Sequence, residues 1–156
     1  MASIKEGFNT AATFTCTLAS LTNTSARQST VIDNSSGLYL DALVQIKIKT
    51  GASSTSASGS IAVYAFGTVD GGTTYTDGAG ASDAAVTPLA MHLIGIFPAV
   101  ANATTYISQV MSVAAGFGGV LPTKWGIAVQ NNSGGTLDST EGNHAKLYQE
   151  VYSTVA

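Results

Sequence analysis

Hydrophobic and polar positions along this chain alternate with a period of two, in short runs fenced by Gly, Ser, Asn and Asp. That is the signature of half-buried β-strands. The clearest run places Leu40, Ala42, Val44, Ile46 and Ile48 on one face, and Asp41, Gln45, Lys47 and Lys49 on the other. Residues Ala12 to Leu21 alternate in the same way, with Phe14, Cys16 and Leu18 against Thr13, Thr15 and Thr17. Thr30 to Ile32 is a short further candidate. Ile61 to Val69 carries bulk on both faces, with Ile61, Val63 and Val69 on one and Tyr64 and Phe66 on the other. A strand of that kind is central in its sheet or capped by a loop or a neighbour. Four more runs follow: Met91 to Phe97, closed by Pro98; Thr105 to Val113; Lys124 to Gln130, with Trp125, Ile127 and Val129 on one face; and Ala145 to Tyr152, with Leu147 and Val151 against Tyr148 and Tyr152.

No helical period of useful length interrupts this pattern. About eight antiparallel strands with Gly-rich connections predict an all-β, single-domain β-sandwich of jelly-roll type. Residues 1–11 precede the first strand and read as an N-terminal arm, and residues 12–156 form the sandwich. Ile4 and Phe8 are the apolar anchors of that arm and candidate interface residues, since an extended segment can add a strand to a neighbour's edge. The connection Asp70 to Ser82 exceeds the length of ordinary loops, and such loops are often functional. Within it Tyr75 and Asp77 are the candidate interface residues, because a core role is least natural for a tyrosine in mid-loop.

Composition narrows the function classes. The chain has 156 residues, enough to bury a core without disulfides or metal. Hydrophobic residues make up 45% and charged residues 10%, against a usual charged share of about 25%. Either other subunits cover much of this weakly charged surface, or Ser and Thr simply suit exposed strand faces. The net charge is −3 with only six basic residues, and these are scattered. That argues against nucleic acid as a partner, which needs clustered Lys and Arg, and against an anionic membrane. No run reaches the length of a membrane helix. Residues 1–9 lack the apolar stretch of a signal peptide, so synthesis in a cytoplasm is expected.

Candidate chemistry is sparse. Cys16 is the single cysteine and reads as a small buried hydrophobe. Asp70, Asp77 and Asp83 are the nearest thing to a cation site, but their spacing is not that of a calcium loop, and Asp-Gly is first a turn signal. His92 and His144 are the only histidines, and neither sits in a recognisable nucleophile–base arrangement. The Gly-rich stretches lack the Lys-Ser/Thr of a phosphate loop. No catalytic residue, metal site or cofactor is expected, and the chain reads as a non-enzymatic protein. Tyr64, Tyr75, Tyr106, Tyr148, Tyr152 and Trp125 read as cross-strand packing or as a sugar-stacking platform.

Two segments, Val63-Tyr64-Ala65-Phe66-Gly67-Thr68-Val69-Asp70-Gly71-Gly72-Thr73-Thr74-Tyr75 and Thr123-Lys124-Trp125-Gly126-Ile127-Ala128-Val129-Gln130-Asn131-Asn132-Ser133-Gly134-Gly135-Thr136-Leu137, resemble segments of small virion proteins of tailed bacteriophages. The Ala/Ser/Thr/Gly-rich composition is similar too. A small β-domain with no coiled coil looks more like a capsid decoration or cement protein than a fibre. The resemblance implies a location on the capsid surface of the virion, binding to the major capsid protein, capsid stabilisation, and a homo-oligomer such as a trimer. The alternative it leaves open is a tail or receptor-binding accessory protein that recognises a host glycan through the Asp70–Asp83 loop.

Overall fold

A computed structural model describes residues 3–155. Its strands are β1 (Ile4–Phe8), β2 (Ala12–Thr13), β3 (Ala26–Gln28), β4 (Ile32–Asp33), β5 (Asp41–Lys49), β6 (Ser60–Thr68), β7 (Ala84–Val86), β8 (His92–Pro98), β9 (Thr105–Ile107), β10 (Met111–Ser112), β11 (Lys124–Asn132) and β12 (Ala145–Val155). They form two antiparallel sheets. The first runs β1-β12-β5-β10, with β2 also on β12 and β9 also on β5. The second runs β7-β3-β11-β6-β8, with β4 also on β11.

Three of these strands are interrupted rather than separate. β1 and β2 share β12, β3 and β4 share β11, and β9 and β10 share β5, each pair with its register slipped by one residue across the break. Joined across their breaks, they leave about eight long strands, with β7 an addition from the long loop. The last strand then lies between the first and third, and the one before it between the second and fourth. That order is two interlocked Greek keys, the jelly roll that the alternation predicts.

The breaks correct the expected continuous run from Thr105 to Val113, and a serine explains how the break is tolerated. Ser108 N–H donates to the Ile46 carbonyl at 2.8 Å, and the Ile46 N–H donates to Ser108 Oγ at 3.0 Å. The Ser108 hydroxyl then donates to the Gln109 carbonyl at 2.7 Å. Ser29, in the other sheet, repeats this. Its N–H donates to the Ile127 carbonyl at 2.7 Å, its Oγ accepts from Ile127 N–H at 3.0 Å, and its hydroxyl donates to the Thr30 carbonyl at 2.7 Å. Each serine thus supplies the acceptor that the slipped ladder takes away. Both are buried, so water does not serve these amides instead.

The core follows the pattern closely where one face is covered. Ala42, Val44, Ile46 and Ile48 of β5 face Ile61, Val63 and Ala65 of β6 and Trp125, Ile127 and Val129 of β11. Trp125 stacks edge-on against Tyr148 at 5.7 Å. Leu40 is a correction: it precedes β5 and is exposed. Val69, expected to share the face of Ile61 and Val63, lies past the end of β6 in open solvent. The expected strand from Ala12 to Leu21 forms ladder only at Ala12–Thr13. Phe14, Cys16 and Leu18 nevertheless point into the core, because Phe14 N–H bonds Lys146 of one sheet while Thr15 accepts from Thr30 beside the other. This crossing segment closes one edge of the sandwich.

β6 is covered on both faces, as its composition predicts. Its outer face carries Phe66, packed with Ala128, Tyr75, Ala79 and Met91 beneath the loop that follows β6. Phe66 lies directly across from Gly126, where a Cβ would meet its ring at 2.3 Å. A side chain at Gly126 and the Phe66 ring would claim the same space.

Replacing Ser29 or Ser108 with alanine leaves a buried amide without an acceptor, a cost of roughly 1–3 kcal/mol. Each substitution should lower the free energy of unfolding in urea by that amount, read from the fluorescence of Trp125, the single tryptophan. Loss no larger than that of an exposed Ser→Ala change would show that the hydroxyls do not carry the breaks.

Candidate interaction surface

The N-terminal segment is not a free arm. Ile4–Phe8 pairs in register with β12, from Ile4 opposite Val155 to Phe8 opposite Val151. β5 pairs with β12 only as far as Val151, opposite Asp41. The outer part of β12, Tyr152–Val155, therefore has β1 on one side and no described strand on the other. β1 and the outer part of β12 form a two-stranded ribbon that runs past the body of the sheet.

One face of this ribbon is apolar and open. Residues directly opposite each other in antiparallel strands point the same way, so Ile4 and Val155 share a face, as do Phe8 and Val151. Ile4 is 78% exposed, Val155 71% and Phe8 51%. The other face is closed differently, with the Tyr152 ring lying over Gly7, whose missing Cβ would meet it at 2.4 Å. The apolar face continues onto the sheet as a shallow groove of about 470 Å³, lined by Phe8, Leu40, Leu43, Ala115 and Val151, with Glu6 at its edge. Ile4 and Phe8 thus stand on one exposed face of β1. Leu40, Leu43 and Val155 join them and were not foreseen. The signal for Val155 was present, since the alternation of β12 continues beyond Tyr152.

Tyr75 and Asp77 lie elsewhere and do different work. Tyr75 is only 8% exposed and packs edge-on against Phe66 at 6.0 Å. The expectation that a mid-loop tyrosine would avoid the core is corrected: the loop folds back over the outer face of β6, and Tyr75 is its hydrophobic plug. Asp77 adopts a left-handed backbone, φ 57°, and its carboxylate accepts from the N–H groups of Leu89, Ala90 and Met91 at 2.7–3.0 Å. It ties the middle of the loop to the turn that precedes β8.

The remaining loop carboxylates act in the same way. Asp70 Oδ1 accepts from Thr68 Oγ1 and from the amides of Thr73 and Thr74. Asp83 accepts from Thr17 N–H at 3.0 Å and Thr17 Oγ1 at 2.5 Å, and pairs with Arg27 at 2.5 Å. Glu141 receives the amides of Leu18 and Ala19 at 2.9 and 2.7 Å and pairs with Lys146. Among the described residues, no three His, Cys, Asp or Glu side chains gather into a metal-binding group.

Each of these acids is held below its ordinary pKa. Hydrogen bonds from the Thr68 hydroxyl and from backbone amides hold Asp70 far below the carboxylate range. Hydrogen bonds from Asn143 and Thr140 bring Asp138 down to about 2. For Asp77, Asp83 and Glu141, burial pushes upward. For Asp77 the amides of Ala90, Leu89 and Met91 outweigh it; for Asp83, Arg27 and Thr17 do so; for Glu141, Lys146 and the amides of Ala19 and Leu18 do so.

Neither histidine forms a catalytic arrangement with these groups. His144 is buried, accepts from Lys49 N–H at Nδ1 (3.3 Å), and places Nε2 3.1 Å from the Asp138 carbonyl. Its proton therefore sits on Nε2. His92 is exposed and lies edge-on to Phe117 at 5.1 Å. Burial raises the Cys16 thiol to about 12, so it stays protonated and inert. The other aromatics are held within the fold: the Tyr106 hydroxyl caps the amides of Val100 and Ala101, and Tyr64 donates to Gln130. Among the described residues no helix is long and apolar enough to cross a membrane.

Compared with known protein families and with curated proteins, the chain matches none.

Depressed carboxylate pKa values contribute stability above the unfolded-state pKa, near 4, that is lost as pH falls through the folded values. The urea midpoint should therefore be flat with respect to these groups above about pH 5 and fall steeply below about pH 4. Glu141→Gln should lessen that dependence. An acid limb unchanged in both Glu141→Gln and Asp83→Asn would show that these carboxylates are not its source.

Proposed function

We propose that this chain is a non-enzymatic structural protein of a bacteriophage virion, which binds the outer surface of the capsid through the major capsid protein and stabilises it. The observation that carries this reading is the apolar ribbon face with Ile4, Phe8 and Val155, continuous with the groove at Leu40 and Leu43. Contiguous exposed apolar surface on a soluble domain marks an interaction site. Supporting it are the low charge, which leaves the surface poorly suited to a free monomer, and the resemblance of its two segments to small tailed-phage virion proteins. A decoration protein must also be stiff, and here loops as well as strands are tied down by side-chain hydrogen bonds.

A second reading, a tail or receptor-binding accessory that recognises a host glycan, draws on a different place. A cleft of about 440 Å³ is lined by Asp70, Thr74, Tyr75, His92, Phe117 and Pro122. Aromatic and polar groups converging on one cleft suit a sugar ring.

The deciding experiment adds the purified chain to capsids that lack it and images the particles. Regular density on the capsid lattice is expected. Ile4→Asp and Phe8→Asp should each reduce occupancy about tenfold, the effect of roughly 1.4 kcal/mol at a contact, while leaving the fold intact. Binding of host polysaccharide by the isolated chain, lost in Phe117→Ala, together with bare capsids, would replace the first reading with the second.

A further inference from the structure

The ribbon has two open edges, and its charges distinguish them. In an antiparallel strand, successive residues aim their N–H and C=O groups to alternate sides. The Val151 carbonyl accepts from Leu40 N–H at 2.8 Å on the β5 side, and the Glu150 carbonyl accepts from Asn9 N–H at 3.0 Å on the β1 side. Ser153 and Val155 therefore aim their backbone groups to the β5 side, where β5 has already ended and no described strand pairs with them. On the far side of the ribbon, Ile4, Glu6 and Phe8 aim theirs outward from β1, since Lys5 and Gly7 face β12.

An open edge of this kind is a template for another chain. The β1 edge is guarded. Pairing it with a second copy about a twofold axis, in the register that uses Ile4, Glu6 and Phe8, sets Glu6 directly against Glu6, and like charges opposite each other destabilise a ladder. Lys5 adds the charged residue that commonly blunts an edge. The outer half of β12, Tyr152-Ser153-Thr154-Val155, has no charge, no proline and strong β-formers.

We infer that a second copy of this chain adds to the open edge of β12 about a twofold axis, joining the ribbons of two copies into one continuous sheet. The geometry selects the register. Ser153 lies opposite the copy's Val155 and exchanges both hydrogen bonds with it. Thr154 lies opposite the copy's Thr154 in a non-hydrogen-bonded pair, a favourable match. No like charges meet. The twofold axis is normal to the sheet, so Ile4 and Val155 of both copies stay on one face and double the apolar strip. Two strands alone are marginal in water and four are not, so pairing also steadies the ribbon. This inference rests on the edge and is independent of the capsid reading.

The test begins with the mass of the full chain across a wide concentration range, by light scattering and sedimentation. A concentration-dependent dimer is expected. Val155→Lys should return it to monomer with the Trp125 fluorescence and the far-ultraviolet spectrum unchanged. Thr154→Cys supplies the register. Opposed residues of a non-hydrogen-bonded pair have Cα atoms about 4.5 Å apart, within reach of a disulfide, and the native Cys16 is buried. Oxidation should convert Thr154→Cys to a covalent dimer, whereas Lys5→Cys, on the same face but one strand further from the axis, should remain monomeric on a non-reducing gel. A chain that is monomeric at every concentration, or equal cross-linking of the two variants, overturns the inference. A monomer that still decorates capsids would overturn it while leaving the capsid reading standing; a dimer that ignores capsids would do the reverse.

Discussion

Where the strands of this sandwich break at Ser29 and Ser108, a buried amide of the neighbouring strand faces a gap, and the fold depends on giving each one an acceptor. An unsatisfied buried N–H costs more than an ordinary hydrogen bond contributes. In two of the three places where a strand slips by one residue, a serine hydroxyl serves the amide that the slipped ladder leaves over: Ser29 accepts from Ile127 and Ser108 from Ile46. Where the chain crosses between the sheets, carboxylates take that part, with Asp83 receiving Thr17 and Glu141 receiving Leu18 and Ala19. The crossing can then send Phe14, Cys16 and Leu18 into the core without a regular ladder of its own.

The same solution explains where the few charges went. Asp70 and Asp77 organise the loop over β6, Asp138 and Glu141 organise the turn before β12, and Arg27 and Lys146 are held as partners of Asp83 and Glu141. Acidic side chains that look like surface solubilisers are in large part internal acceptors. What remains facing outward includes Ser, Thr, Gly and a set of aliphatic side chains, one group of which lies on the terminal ribbon.

Much of the architecture is legible in the sequence, and the reason is burial. β5, β6 and β11 alternate, or carry bulk on both faces, because each has a fixed inside. Where burial comes from something other than a ladder, the pattern misleads. Phe14 to Leu18 alternates without being a strand, and Leu40 continues the alternation of β5 while standing in solvent. Ser29 and Ser108 could not be distinguished in so Ser-rich a chain, since only their position opposite a slipped register makes them important. Tyr75 reads as a surface residue because nothing in its neighbours reveals that the loop folds back onto Phe66. Ile4 and Phe8 were legible as apolar residues in a polar setting, but their pairing with β12 was not, because no local signal specifies a partner about 150 residues away along the chain.

The meeting of Ile4 with Val155 also makes the chain close to a ring. Ile4 and Val155 lie side by side, so a short link between them would turn the ribbon into an ordinary hairpin, and the polar connection at Gly51–Gly59 offers a place to open the chain anew. Proteins with adjacent ends commonly tolerate such rewiring. The first and last strands of this jelly roll are thus neighbours in one ladder, and what separates them along the chain is the whole of the fold between.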